Sequence, residues 1–318
     1  MGDVTENSNL PKAVFLMGPT AAGKTDAAIL LHQEYQGDII SVDSALVYKG
    51  MDIGTAKPDA ETRKQAPHAL VDVCETWEPY SAANFCHDAI NLMQQSVDNQ
   101  RIPLLAGGTM MYYNALQNGL SQLPEADPKT REQIQSMADN LGWEHVHEQL
   151  AAVDPESAAR IHPNDPQRIN RAYEVYLLTG QTMSTWYELD QGQKLKYNSL
   201  KIIISPEDRS ILHERIAMRF KLMLKQGFLD EMRTLMAHPR NHDELPSMRS
   251  VGYRQAWEHL EGKTSKEDFI FKGIVATRQL AKRQLTWLRK EENAIWLDPM
   301  KPDYLSVLKQ HVDEFLHN

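Results

Sequence analysis

Near the start of the chain, Gly18-Pro19-Thr20-Ala21-Ala22-Gly23-Lys24-Thr25 fits the pattern G-x-x-x-x-G-K-[ST] of a phosphate-cradling P-loop. Glycine tolerates backbone torsions that a Cβ penalises, so successive N–H groups can converge on one anion, and the N-terminus of the following helix adds positive charge. In this pattern Lys24, expected to be an exposed loop lysine, reaches the outer phosphate oxygens, and the Thr25 hydroxyl holds Mg²⁺. Asp43, in Ser41-Val42-Asp43-Ser44, is a candidate base, although an Asp after a strand also serves as a turn or helix cap. Thr109, in Gly107-Gly108-Thr109, brings a hydroxyl after glycines that permit close backbone approach; the same triplet fits a helix start capped by threonine. Arg215 and Arg219, four residues apart, suit either a phosphate clamp or pairing with acids such as Glu214.

These groups work together only if the fold collects them. Val14 to Met17 forms an apolar run broken at Gly18, Asp26 to Tyr35 suits a helix, and Asp38 to Val42 is a β-branched strand ending at Asp43. Ser81 to Asn99 has helical spacing, with Ser81 as N-cap and Phe85, Ala89 and Met93 at four-residue steps. Ile102 to Ala106 is a third buried strand. In an open parallel sheet, functional groups gather beyond the carboxyl ends of strands, which would bring Asp43 and Thr109 to the Lys24 site. Tyr48 to Pro58, rich in glycine but without low-complexity bias, is expected to be an ordered active-site loop. Beyond Leu120, Pro124, Asp127-Pro128, Asp154-Pro155, His162-Pro163 and Asp165-Pro166 punctuate short helical runs, among them Thr130 to Leu141 and Trp143 to Val153. A strand at Leu200 to Ser205 returns the chain to the sheet, and a helix follows Asp208. The predicted class is α/β: a mostly parallel sheet flanked by helices in 1–122 and 198–318, with an all-helical insertion at 123–197.

The chain has 318 residues, 42% of them apolar, enough for a sizeable core. Its first nine residues are polar, no later run is long enough to cross a bilayer, and Cys74 and Cys86 form no C-x-x-C pair. These features predict a soluble chain in a reducing cytoplasm, with neither a disulfide framework nor a cysteine zinc site. His145, His147 and His162 lack metal-ligand spacing. A net charge of −9 argues, taken alone, against a nucleic-acid partner. Yet Lys272, Arg278, Lys282, Arg283, Arg289 and Lys290 fall in a segment free of acids. Arg278, Lys282 and Arg289 share a helical stripe beside the apolar Ile274, Ala281, Leu285 and Leu288, which predicts a phosphate-backbone contact surface. Arg168 and Arg171, in Gln167-Arg168-Ile169-Asn170-Arg171, sit one helical turn apart, as an ordinary solvated face also allows.

The segments around Gly18 to Thr25, Ser41 to Ser44, Tyr48 to Pro58, Gly107 to Thr109, His162 to Asp165, Val251 to Arg254 and Thr277 to Gln284 together resemble the bacterial tRNA dimethylallyltransferase family over nearly the whole chain. The resemblance implies a P-loop NTPase-like core that binds dimethylallyl diphosphate and transfers its dimethylallyl group to N6 of an adenosine beside the anticodon. That adenosine is position 37 of tRNAs reading codons that begin with U. It further implies Mg²⁺ as cofactor and a monomer that acts away from membranes. Lys24, Thr25 with Mg²⁺, the Gly18 to Gly23 backbone, Arg219 and Thr109 would receive the leaving-group charge, and Asp43 would accept the N6 proton. By the same resemblance the tRNA is contacted by Asp43, Ser44, Ala45 and Leu46, by Thr109 and Arg131, and by Gln167, Arg168, Ile169, Asn170 and Arg171. Arg249, Ser250, Val251, Gly252, Tyr253 and Arg254 join them, as do Arg278, Lys282, Arg283 and Arg289, with the helical insertion closing over the anticodon stem. The residues themselves leave open a P-loop small-molecule kinase, which the missing aspartate at the end of the third strand disfavours. Prenyl transfer to free adenine nucleotides and a pure RNA-binding module also stay open.

Overall fold

The computed structural model describes residues 10–121, 123–189 and 192–317. The polar segment 1–9, in which no export signal is expected, lies outside them. Short, largely apolar runs shape six strands: β1 Lys12–Met17, β2 Gly37–Val42, β3 His68–Ala69, β4 Ile102–Gly107, β5 Asn198–Ile204 and β6 Ile295–Leu297. They form one sheet in the order β3-β2-β4-β1-β5-β6, and every pairing is parallel. In β1, Val14 and Leu16 face a core shared with helix α1 (Lys24–Tyr35) and the C-terminal helix, through Ala27, Leu31, Leu308 and Val312. Phe15 points to the opposite face, where it tilts against Tyr113, and Phe85 stacks on Tyr112 with centroids 4.4 Å apart. The buried Tyr113 hydroxyl donates to the carbonyls of Leu16 and Leu105, joining β1 and β4.

The connections follow the sequence signals where those were strong. After α2 (Ala60–Gln65), α3 (Ala82–Asp98) begins at Ser81, whose hydroxyl accepts the Asn84 N–H while Asn84 reaches back to the Ser81 N–H. Phe85, Ala89 and Met93 are fully buried along it, and α4 (Met110–Asn118) follows β4. The chain divides into two compact units, Met1–Ala115 with Lys196–Asn318, and Leu116–Leu195.

In the second unit the Asp-Pro pairs have a specific meaning: they start helices. Asp127, Asp154 and Asp165 are N-caps whose carboxylates accept the N–H groups of Thr130, Ser157 and Arg168, and each is followed by proline at N1. The helices are α5 (Pro128–Leu141), α6 (Trp143–Val153), α7 (Pro155–Arg160), α8 (Pro166–Thr179) and α9 (Met183–Leu189), closed around Ile134, Val146, Leu150, Ile169 and Val175. Glu174 is wholly buried among them. Its carboxylate receives Arg131 in a two-pronged pair at 2.8 and 3.1 Å, Arg171 at 2.7 Å and the Asp127 N–H at 2.9 Å.

The first unit is completed by α10 (Arg209–Lys225), α11 (Phe228–Met236), α12 (Tyr253–Leu260), α13 (Lys266–Leu288) and α14 (Tyr304–His317). A second core, centred on Met51, Phe220, Phe228, Tyr253 and Phe269, packs the Tyr48 to Pro58 loop against α10 to α13. No helix among the described residues is long and apolar enough to cross a membrane.

Burial pushes the Glu174 carboxyl up, but the hydrogen bonds from Arg131, Arg171 and Asp127 outweigh it and hold the group below the usual glutamate range. Its stabilising share is therefore fully present at neutral pH and is lost as pH falls below that range. Glu174→Ala should cost about 3 kcal/mol, the lower end of the range of about 3–5 kcal/mol for breaking a buried ion pair, because Arg131 is half exposed. Calorimetry at pH 7 and pH 4 should show a smaller difference between wild type and variant at the lower pH.

Candidate active site

The parallel register brings the strand ends level. Met17 pairs with Gly107 and with Ile203, and Gly107 also pairs with Val42, so Gly18, Asp43 and Gly108 leave the sheet at one edge. The glycines there are sterically required. A Cβ on Gly107 would run into the Val42 carbonyl, one on Gly18 would meet the Ile204 carbonyl, and one on Gly108 would sit 3.0 Å from the Gly18 oxygen. Gly23 caps α1 in the left-handed region (φ 95°) with no side-chain partner for the first-turn N–H groups, leaving them directed into the P-loop.

Lys24 is not the exposed loop lysine that the sequence suggests. It is the first residue of α1, half-buried, with its ammonium 3.0 Å from the Gly18 carbonyl and 2.8 Å from that of Pro19. Burial lowers its pKa to about 8; Asp43 acts in the opposite direction, and Arg219 adds to the lowering. Arg219 is itself depressed by burial, an effect that Asp43 counters, and its guanidinium donates to the Thr55 carbonyl at 2.8 Å. Lys24, Asp43 and Arg219 thus act on one another across the crevice beyond the strand ends.

The turn-cap reading of Asp43 is seen directly in its hydrogen bonds. Its Oδ1 accepts the N–H groups of Ala45 at 2.8 Å and Leu46 at 3.3 Å, which closes the turn after β2, while the carboxylate lies within the field of Lys24 and Arg219. Thr109 braces that turn: its hydroxyl accepts the Ser44 N–H at 3.0 Å and its own N–H donates to the Val42 carbonyl. The Thr25 hydroxyl is on an exposed residue and has no hydrogen-bond partner among the described residues. No cluster of three or more His, Cys, Asp or Glu among them could hold a metal. A threonine hydroxyl at this place in a P-loop, together with phosphate oxygens and waters, is a set of hard oxygen donors of the kind that Mg²⁺ accepts.

Two contributors are missing from the sequence assignment. The Gln284 amide of α13 accepts the Thr20 N–H at 2.9 Å and donates to the Gly108 carbonyl at 2.8 Å, tying the P-loop to the end of β4. Arg215, weighed as a clamp with Arg219 but not assigned, donates to the Ala22 carbonyl at 3.3 Å. Its spacing from Arg219 was the available signal; Gln284 closes the Thr277 to Gln284 segment of the resemblance, which marked the position but not its role.

The residues expected at RNA divide by exposure. Lys282, Arg283 and Arg289 are exposed, and neither they nor the half-buried Arg278 pair with an acid among the described residues. Arg249, Gln167 and Arg168 are exposed, Arg168 and Arg254 forming local pairs with Asp165 and Glu258. Ser44 is exposed, and Ala45, Leu46, Asn170, Ser250 and Val251 are partly so. Ile169 and Tyr253 are different. Both side chains are buried in their cores and Gly252 is buried too, so these three positions present no side chain to solvent. Arg131 and Arg171 are held by Glu174, and Arg131 keeps about half its side chain in solvent (49%).

Over residues 46–291 the chain matches the IPP transferase family. The chain belongs to that family. It is similar to the full-length tRNA isopentenylpyrophosphate transferase of Bacillus halodurans, with 32% identity and a TM-score of 0.68 over 96% of this chain and 99% of that one. It is equally similar to the tRNA delta(2)-isopentenylpyrophosphate transferase of Staphylococcus epidermidis, with 32% identity, a TM-score of 0.69 and the same coverage. A eukaryotic dimethylallyltransferase acting on tRNA aligns with a TM-score of 0.82 and 26% identity, over 97% of this chain and 80% of its own. The IPP transferase match begins beyond the P-loop and Asp43, so the geometry at the strand ends stands independently of it.

A lysine held near 8 sets a pH limit on anion binding. Affinity for inorganic diphosphate should fall as pH rises through about 8, and Lys24→Arg, which stays charged, should move that fall upward. Because the folded state holds this group below its unfolded value, charging it opposes folding at neutral pH. Lys24→Met should therefore raise the melting temperature of the ligand-free protein at pH 7 while weakening diphosphate binding. Calorimetric titration across pH 6.5–9.5 and thermal melts check both outcomes.

Proposed function

We propose that the chain transfers the dimethylallyl group of dimethylallyl diphosphate to N6 of adenosine 37 in tRNAs reading codons that begin with U, acting as a monomer. The observation that carries the reading is the meeting, at one sheet edge, of an anion cradle with two half-buried cations and a carboxylate that acts on both, in a member of the IPP transferase family.

The chemistry follows from charge. As the allylic C–O bond breaks, its electron pair goes to the departing diphosphate, and the first-turn N–H groups of α1, Lys24 and Arg219 receive that charge. Mg²⁺ bound by the Thr25 hydroxyl and the phosphate oxygens would add to this neutralisation. N6 of the adenine forms the new C–N bond, and Asp43, whose turn bonds go to Oδ1, accepts the N6 proton. Thr109 and Ser44 hold that carboxylate's turn in place. The adenine leaves its stack to reach the carboxylate, while Arg278, Lys282, Arg283 and Arg289 engage the phosphate backbone.

Incubating the protein with unmodified tRNA, dimethylallyl diphosphate and Mg²⁺, followed by nucleoside mass analysis, tests the reading; N6-isopentenyladenosine at position 37 is the expected product. ATP consumption without tRNA would favour a kinase instead. Asp43→Asn should lower the single-turnover rate by about 10²–10⁴ with both substrates still bound, whereas a purely capping role leaves the rate within about threefold, since Asn caps nearly as well. Arg278→Ala and Lys282→Ala should each reduce the log–log salt slope of tRNA binding by about one unit and leave dimethylallyl diphosphate affinity unchanged. Filter binding at graded salt measures this.

A further inference from the structure

Arg219 has no acid within ion-pair distance among the described residues, and the contact that fixes it is the neutral Thr55 carbonyl. The guanidinium is therefore placed by whatever places Thr55. Three successive N–H groups just before it, those of Asp52, Ile53 and Gly54, converge on the carboxylate of Glu231 in α11, at 3.0, 2.6 and 3.1 Å. A fourth donor, the Tyr253 hydroxyl, reaches the same carboxylate at 2.6 Å. Converging N–H groups of this kind form an anion-binding concavity, and here the anion is part of the protein. The loop is packed tightly at this point: a Cβ on Gly54 would strike the rings of Phe228 and Tyr253. Its turn is closed by the Thr55 hydroxyl on the Met51 carbonyl and by the Ala56 and Lys57 N–H groups on the carbonyls of Ile53 and Asp52.

We infer that Glu231 is a positioning residue for Arg219: its carboxylate holds the Asp52 to Gly54 backbone so that the Thr55 carbonyl aims the guanidinium at the bound diphosphate. Tyr253 extends this hold to the Arg249 to Arg254 segment, so the loop that orients Arg219 and a segment expected at the tRNA share one anchor. The inference rests on the proposed function for its substrate, and it has a readout that does not need transfer.

Glu231→Gln keeps the size of the side chain but sets an NH₂ group against backbone donors. With saturating substrates, its single-turnover rate should fall about tenfold to hundredfold, the scale expected when a charged group is displaced by about an ångström. In an Arg219→Ala background the same change should cost less than about twofold, because the group being positioned is gone. The affinity of Mg²⁺-diphosphate, measured by calorimetry without tRNA, should follow the same pattern. Equal losses in both backgrounds, or an unchanged rate in a folded Glu231→Gln protein, would overturn the inference. If that variant does not fold, Tyr253→Phe, which removes one donor and keeps the ring, should lower the rate a few-fold in wild type and not in Arg219→Ala, and additivity again counts against it. Absence of tRNA prenylation by the wild type would sink the proposed function alone and leave the diphosphate cycle to decide on Glu231.

Discussion

Backbone-to-backbone contact at the carboxyl edge of the sheet is the constraint on which the site depends. Gly18 and Gly107 lie so close to the carbonyls of Ile204 and Val42 that a methyl group at either would push the strands apart, and one at Gly108 would displace the Gln284 amide. That closeness lets one threonine brace the turn that carries Asp43, and one glutamine bridge the P-loop and the end of β4. It also explains why β4 ends in Gly-Gly-Thr rather than in a metal-binding aspartate, since no side chain fits where the strands converge.

The sequence showed most clearly the parts whose physics is local. Ser81 with Asn84, the run from Phe85 to Met93 and the strands β1, β2, β4 and β5 follow from capping and periodicity alone. The two-residue β3 and three-residue β6 are too short for periodicity to mark and exist because longer neighbours present a free edge. The Asp-Pro pairs were legible as breaks but not as helix starts, although an Asp N-cap followed by proline at N1 is a start signal. At the site, Asp43 and Thr109 were legible because they follow strands. Arg215 was legible only as a spacing from Arg219, and the roles of Gln284 and Glu231 were not legible, because each acts through a partner distant in sequence.

Charge is distributed to the same end. Several acids of this acidic chain are occupied internally: Glu231 is filled by four donors, Glu174 by two arginines and a backbone N–H, and Asp52 and Asp72 by the buried Lys57. The α13 cations have no such partners among the described residues. Net charge is a poor guide here, because a phosphate backbone meets the local field within a Debye length rather than the sum over the molecule.

The resting contacts of Lys24 bear on how a catalytic cycle would end. In the ligand-free protein its ammonium is satisfied only by the two carbonyls of Gly18 and Pro19. For the proposed transfer, bond cleavage concentrates on free diphosphate the charge that the substrate shared with its prenyl chain. The product then suits Lys24 and Arg219 better than the substrate did, and among the described residues it competes there with those carbonyls and with the Asp43 carboxylate. A site built to draw the leaving group away is slow to give it up, so diphosphate is expected to be a strong product inhibitor and its departure to govern steady-state turnover.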